Sequence, residues 1–445
     1  MSKPSVQSAP HASACDRLEA ALFRIADPAR QGALVFTDLY AEEARSAAAA
    51  SDRRAAAGRS LGPLDGRIVS VKALFDVAGD ATAAGSAILR GRPAAGRDAR
   101  AVARLRAAGA VIVGRTHMTE FAFSAVGINP HCGNPGNPQD RSRVPGGSSS
   151  GAAISVVDGM AEIALGSDTG GSLRIPAALS GAVGFKPSAG RLPSEGAFPL
   201  SPTLDVIGPL AATVADAALL DSILSDGDLS NGDLAPLSPL PLAGQSFLVP
   251  RGRLFDGTEP AVAAAFEAAL DRLRAAGAQV VDGSIEAELD ALVELDRIGV
   301  FTAIELAATL ADLGITALDG IDPKTRARIE AGGKAPAADY VRMQNRRAAL
   351  IRLMDERLTR HPVLLLPTVP MTAPAIAEVL DDAAFHRVNL ALLRNTRVAN
   401  LFDLPAISLP IPADGLPVGL MAMGRRGSDR SLLGIAAGIE AVLLR

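Results

Sequence analysis

The chain has 445 residues, of which 48% are hydrophobic and 21% charged, so it has enough apolar material for a large core and is not disordered over most of its length. Aromatic residues are only 3%, Trp is absent and the net charge is −4, which disfavours base-stacking modules and offers no basic field for nucleic-acid phosphates. Two cysteines, Cys15 and Cys132, cannot build a disulfide framework, no run reaches about 18 apolar residues, and Met1 to Ala14 lack the charged and apolar regions of a signal peptide. The expectation is a cytoplasmic protein with no membrane span.

In chain order, residues 1–15 read as a disordered tail, and a helix is expected from about Asp16 to Ile25. Asp38 to Arg59 reads as an Ala-rich amphipathic helix, and Arg67–Lys72 as a short strand after a Gly/Pro turn. Asp98–Ala108 predicts a helix ended by Gly109, followed by the buried strand Ala110–Gly114. Residues 272–281 repeat the pattern, since Arg272–Ala278 copies Arg104–Ala110 and leads into Gln279-Val280-Val281. Helix–Gly–strand units of this kind predict helices over a largely buried sheet.

Residues 129–151 are dominated by Pro, Gly, Asn and Ser, and residues 161–192 are again dense in Gly and Ser. The loop at 225–245 is the candidate internal boundary. Residues 258–281, 286–313 and 336–360 read as mostly helical, Val363–Pro367 and Ala406–Pro410 as apolar strands stopped by Pro, and the chain closes with a helix from about Asp429.

Two Gly/Ser clusters carry the chemistry. Gly146-Gly147-Ser148-Ser149-Ser150-Gly151 and Gly166-Ser167-Asp168-Thr169-Gly170-Gly171-Ser172 place Ser148 and Ser172 24 residues apart. A helix over Ala152–Asp158 and a strand over Ala161–Leu165 can return the second cluster to the sheet edge that holds the first. Glycine turns let successive backbone N–H groups converge on a developing oxyanion, a contribution of about 2.7–4 kcal/mol per donor.

Lysine supplies only five of the 44 basic residues: Lys3, Lys72, Lys186, Lys324 and Lys334. Lys72 ends an apolar strand, where desolvation lowers an ammonium pKa, and a neutral lysine can act as a base where arginine cannot. The alternative for Lys72 is a side chain that snorkels to solvent, and Lys186 is a rival candidate base.

Lys72, the first cluster and the stretch from Gly166 to Pro176 together resemble the amidase signature family over roughly residues 30–440, most densely from 62 to 210. The resemblance implies a three-layer α/β/α sandwich with a large mixed β-sheet. The expected layout is one domain over 16–445, with the signature core at about 62–210 and a C-terminal half at about 245–445 shaping the substrate pocket. It implies a Ser–cis-Ser–Lys triad: Ser172 the nucleophile, Ser148 the bridging serine after a cis peptide bond, and Lys72 the base. The backbone N–H groups of Thr169, Gly170 and Gly171 would form the oxyanion hole. Asp168 would orient the loop by accepting backbone N–H groups. Ala122, in Phe121-Ala122-Phe123-Ser124, is the expected acyl-pocket contact, and Arg174 would meet a substrate carboxylate or form a structural ion pair. Ala73 departs from the family, since many relatives carry Asp or Asn after the lysine. The implied activity is hydrolysis of a carboxylic amide of a small molecule, with no cofactor or metal. The oligomeric state is open, with a homodimer as the general default.

Three other readings are weighed. Gly147-Ser148-Ser149-Ser150-Gly151 also fits G-x-S-x-G, which would make Ser149 a nucleophile with His361 or His386 as base, but that elbow needs a preceding strand and the residues before it read as loop. Within the family, the runner-up is the glutamine-hydrolysing component of a tRNA-dependent amidotransferase. A catalytically silent scaffold is the third. Specificity is assigned to Ile298–Thr309, Ala338–Arg346 and Phe385–Asn400, with Arg387, Arg394 and Arg397 as candidate recognition cations. His131-Cys132 has no partners at zinc spacing, and no glycine-rich stretch ends in the phosphate-loop G-K-[ST].

Overall fold

The computed structural model describes residues 12–225 and 237–444. The strands in chain order are β1 (Phe36–Leu39), β2 (Ile68–Lys72), β3 (Val111–Thr116), β4 (Ile163–Asp168), β5 (Val183–Lys186), β6 (Val206–Ala211), β7 (Ser246–Pro250), β8 (Gln279–Gly283), β9 (Val363–Pro367), β10 (Ala406–Ile411) and β11 (Val418–Gly424). They form one mixed sheet in the order β1-β3-β2-β4-β6-β5-β10-β11-β9-β7-β8. β2 runs parallel to β3 and β4, and β7 to β8 and β9, while the middle of the sheet is antiparallel. The β5–β10 pair joins strands from the two halves of the chain.

Fourteen α-helices accompany it: α1 (Ala14–Ala26), α2 (Gly32–Val35), α3 (Ala41–Ala56), α4 (Arg100–Ala107), α5 (Ser150–Val157), α6 (Arg174–Ser180), α7 (Val214–Leu224), α8 (Pro260–Ala275), α9 (Glu286–Asp296), α10 (Phe301–Asp312), α11 (Pro323–Gly332), α12 (Ala337–Arg357), α13 (Asp382–Leu401) and α14 (Asp429–Leu443), all among the described residues. Alternation along the strands assigns the faces. Val69, Val71, Ile112 and Leu165 share a core with α4, α7, α8 and α14. Ile68, Val111 and Val113 pack on the other face against α1 and α3, and Leu364, Leu366, Met421 and Met423 pack there against α9, α12 and α13. The result is the expected three-layer sandwich, with strands buried on both faces. Among the described residues no helix is long and apolar enough to cross a membrane.

Several boundaries differ from the expectation. Ala14 and Cys15, assigned to the tail, lie in α1, where Ser13 caps the helix and the Asp16 side chain completes a capping box. Residues 1–11 and most of the expected boundary loop, 226–236, lie outside the described residues. The helix expected from Asp38 begins at Ala41, because Phe36–Leu39 pairs with β3 as an edge strand. Pro410 stays inside β10, since it lies past Ser408, the last residue paired with β5 on that side. The 20-residue helix α13 crosses a region that the sequence marks only as a specificity segment; its N-cap, Asp381, which accepts from the Ala384 N–H, is the available signal.

Candidate active site

Parallel pairing aligns the C-terminal ends of β2 and β4: Val71 stands opposite Leu165, so Lys72 and the residues after Gly166 emerge at one sheet edge. Lys72 is fully buried, and its Nζ donates to Ser148 Oγ at 2.7 Å and to Ser167 Oγ at 2.8 Å. No carboxylate forms a salt bridge with it among the described residues. Burial pushes the ammonium down to about 7, against the opposing pull of Asp168 and Asp205. The snorkelling alternative is therefore excluded, because the side chain runs into the protein. The sequence gives Ser167 no role of its own; its position at the end of the strand beside β2 is the signal for this contact.

The bond between Gly147 and Ser148 is cis. Gly147 lies so close to the 124–127 loop that a Cβ would stand 2.9 Å from Gly127 N and 3.0 Å from Ser124 O. The Ser148 carbonyl accepts from Thr119 N–H at 3.3 Å, which seats the 119–124 segment beside it. Within that segment Phe121 and Ala122 hold left-handed φ values of 51° and 59°, unusual for residues with a Cβ, and Ala122 is buried. The two Gly/Ser clusters meet through the backbone: Ser149 N–H donates to the Ser172 carbonyl at 3.3 Å. Ser172 is 6% exposed and Ser148 is fully buried.

Asp168 accepts from Leu173 N–H at 3.1 Å, as the orienting role requires. Burial alone would push its carboxyl up, but Arg174 and Asn400 together hold it below the usual carboxylate range. Of the two alternatives for Arg174, the structure forms the ion pair. Arg174 is fully buried, donates from Nε and Nη2 to Asp168 at 3.0 and 2.8 Å, and gives its other three N–H groups to the Thr396 carbonyl and Asn400 Oδ1, both at 2.7 Å, and to Met421 Sδ at 3.3 Å. No donor remains for a substrate carboxylate, so its place is the structural ion pair. Asp168→Asn leaves this guanidinium buried without a counter-charge, and chemical denaturation is expected to show a loss of about 3–5 kcal/mol.

Lys186, the rival base, is buried and pushed down to about 8 by burial and by Arg174, but its Nζ donates to the Pro187 carbonyl at 2.7 Å rather than to a serine. The elbow reading is not assembled: Ser149 Oγ donates to the Ser167 carbonyl at 3.2 Å, His361 binds Ser246 at 2.9 Å, and His386 packs edge-on against Phe385. Of the candidate recognition cations, Arg394 donates to the Leu254 and Asp256 carbonyls, Arg397 pairs with Asp296, and Arg387 is exposed.

Thr169 Oγ1 donates to Asp205 Oδ1 at 2.6 Å, and burial pushes the Asp205 carboxyl up to about 6. The turn that follows is held from α13, where Thr396 Oγ1 donates to the Gly170 carbonyl at 2.6 Å. The edge thus gathers a desolvated amine, two hydroxyls in its reach, a third serine tied to the same backbone and a glycine turn. That set suits acyl transfer at a carbonyl.

The chain has relatives of known family. The Amidase family model matches residues 17–433. A 2-amino-5-chloromuconic acid deaminase from Comamonas testosteroni is 40% identical over 410 residues, covering 90% of this chain and 86% of that protein. The A subunit of a glutamyl-tRNA(Gln) amidotransferase from Anaeromyxobacter dehalogenans is 37% identical over 97% of this chain and 93% of that protein. A crystal structure of an amidase superposes with a TM-score of 0.85 at 34% identity, covering 97% of this chain and 96% of that one. The chain therefore belongs to the amidase family: it has the amidase signature fold and is a hydrolase of carbon–nitrogen bonds other than peptide bonds.

Proposed function

We propose that the chain hydrolyses the amide of a small molecule through an acyl-enzyme on Ser172. The observation that carries this is the Lys72 amine, sealed from solvent, drawn down to about 7 and hydrogen-bonded to Ser148. In its neutral form the amine has two N–H groups and one lone pair. Ser167 occupies an N–H, which leaves the lone pair free to take the Ser148 proton. Ser148 in turn takes the Ser172 proton, through a contact that tightens once substrate fills the site.

Ser172 Oγ then attacks the amide carbon, and the oxygen that becomes negative is held by the N–H groups of Thr169, Gly170 and Gly171. The proton returns along the relay to the leaving nitrogen, the C–N bond breaks, and ammonia or an amine departs. Water repeats the sequence on the acyl-enzyme. Ala122, beside Ser148, would line the acyl pocket.

A second reading has a specific observation behind it, the match to a glutamyl-tRNA(Gln) amidotransferase component over nearly its full length. Ammonia release by the purified chain separates the two. Aliphatic, aryl and carboxylated amides are expected to be turned over without any partner, and strict dependence on glutamine would favour the amidotransferase reading. The silent-scaffold alternative is tested by a fluorophosphonate probe, which is expected to label wild type. Free thiols at Cys15 and Cys132 fit a reducing cytoplasm, and a homodimer completes the reading.

A further inference from the structure

The glycine turn before Ser172 is gripped by side chains that the sequence places more than 200 residues away. Thr396 has a single hydroxyl proton and three carbonyls near it. Its own helix offers Leu392 and Leu393 at 3.5 and 3.4 Å, whereas Gly170 stands at 2.6 Å, so the proton goes to the turn. One helical turn on, Asn400 Nδ2 donates to the Asp168 carboxylate at 2.9 Å and to the Asp168 carbonyl at 3.3 Å. Its Oδ1 accepts from Arg174, which fixes which end of the amide faces the turn.

A trans peptide unit points its C=O and N–H in opposite directions. Holding the Gly170 carbonyl toward α13 therefore aims the Gly171 N–H away from α13, and holding the Asp168 carbonyl does the same for the Thr169 N–H. The Gly170–Gly171 unit has glycine on both sides, so no side chain resists a flip of that plane. Gly171 cannot be otherwise: its φ is +142°, and a Cβ would stand 2.2 Å from Thr396 Oγ1.

We propose that Thr396 is a positioning residue that sets the direction of the Gly171 N–H toward the transition-state oxyanion, with Asn400 doing the same for Thr169. The inference rests on the Ser172 acyl-enzyme reading. Thr396→Val keeps the shape of the side chain and removes its proton. Deleting one oxyanion donor outright costs about 10²–10³ in kcat, so misdirecting one is expected to lower kcat about 10- to 100-fold. KM should stay within about twofold of wild type, because the ground-state carbonyl makes little use of the donor. Affinity for a boronic acid or aldehyde mimic of the tetrahedral intermediate should fall by the same factor as kcat, and Thr396→Ser should restore both.

Wild-type and variant melting temperatures identify a folding defect, and in that case Thr396→Ser and Thr396→Ala carry the comparison. Unchanged kcat and unchanged mimic affinity in a folded Thr396→Val or Thr396→Ala overturn the proposal. So does a loss that falls on KM alone, or a loss that Thr396→Ser shares. Wild type that neither takes the fluorophosphonate probe at Ser172 nor binds the mimic overturns the acyl-enzyme reading instead.

Discussion

Ser172→Ala is expected to remove turnover by about 10⁴-fold or more, because no other group in the site can form the acyl bond. Ser172 follows the glycine turn, and its carbonyl is tied to the Ser149 N–H, so the substitution leaves the backbone of both clusters in place. KM for a good amide should change little, and the folded protein should survive, since only one hydroxyl is lost. The measurement pairs ammonia release with fluorophosphonate labelling followed by mass spectrometry of the peptide containing Ser172. Full activity in Ser172→Ala, or label recovered on Ser149, would falsify the assignment.

Lys72 is the second site of large effect, and it links activity to stability. Burial holds the folded-state amine at about 7, against an ordinary value of 10.5. The base must be neutral, so kcat/KM is expected to rise tenfold per pH unit below about 7 and to level off above it. Lys72→Ala should nearly abolish turnover. Lys72→Arg should do the same at every pH, because a guanidinium keeps its proton.

The stability sign follows from proton counting. Between about 7 and 10.5 the unfolded chain holds a proton on Lys72 that the folded chain does not. Wild-type stability contributed by this group therefore rises with pH in that window and is flat below it. Lys72→Met lacks this contribution. Its stability relative to wild type should fall by roughly 1.4 kcal/mol per pH unit from pH 7 upward. The hydrogen bonds to Ser148 and Ser167 differ between the charged and the neutral amine, but that difference is already contained in the folded-state value of about 7, so proton counting alone sets this slope. A pH-independent difference in denaturant midpoints, or a rate profile flat through pH 7 with chemistry limiting, would remove Lys72 from the role of base.

Much of the site is legible in the sequence because local rules govern it. Glycine and serine runs signal backbone that must turn sharply. A lysine at the end of an apolar strand, in a chain that otherwise prefers arginine, signals a cation with no route to water. Those features mark the two serine clusters and Lys72, with Lys186 as its rival, without any knowledge of distance, and the resemblance to the amidase signature family singles out Lys72, Ser148 and Ser172 among them. Arg174 shows the limit. Its residue type fits both a substrate carboxylate and an ion pair, and only packing against Asp168, Thr396, Asn400 and Met421 shows that every donor is already used.

By itself, the sequence determined the α/β character, the two serine clusters and the candidate base, since hydrophobic period and turn chemistry are properties of neighbouring residues. The tertiary structure decided what depends on residues far apart in the chain. Parallel pairing of β2 with β4 brought Lys72 to Ser167, packing of α5 on those two strands brought it to Ser148, and α13 brought Thr396 and Asn400 to the carbonyls of a turn more than 200 positions earlier. A hydrogen bond is short-ranged and directional, so which pairs form is set by how the sheet and helices pack in space, and no local pattern in the chain specifies it.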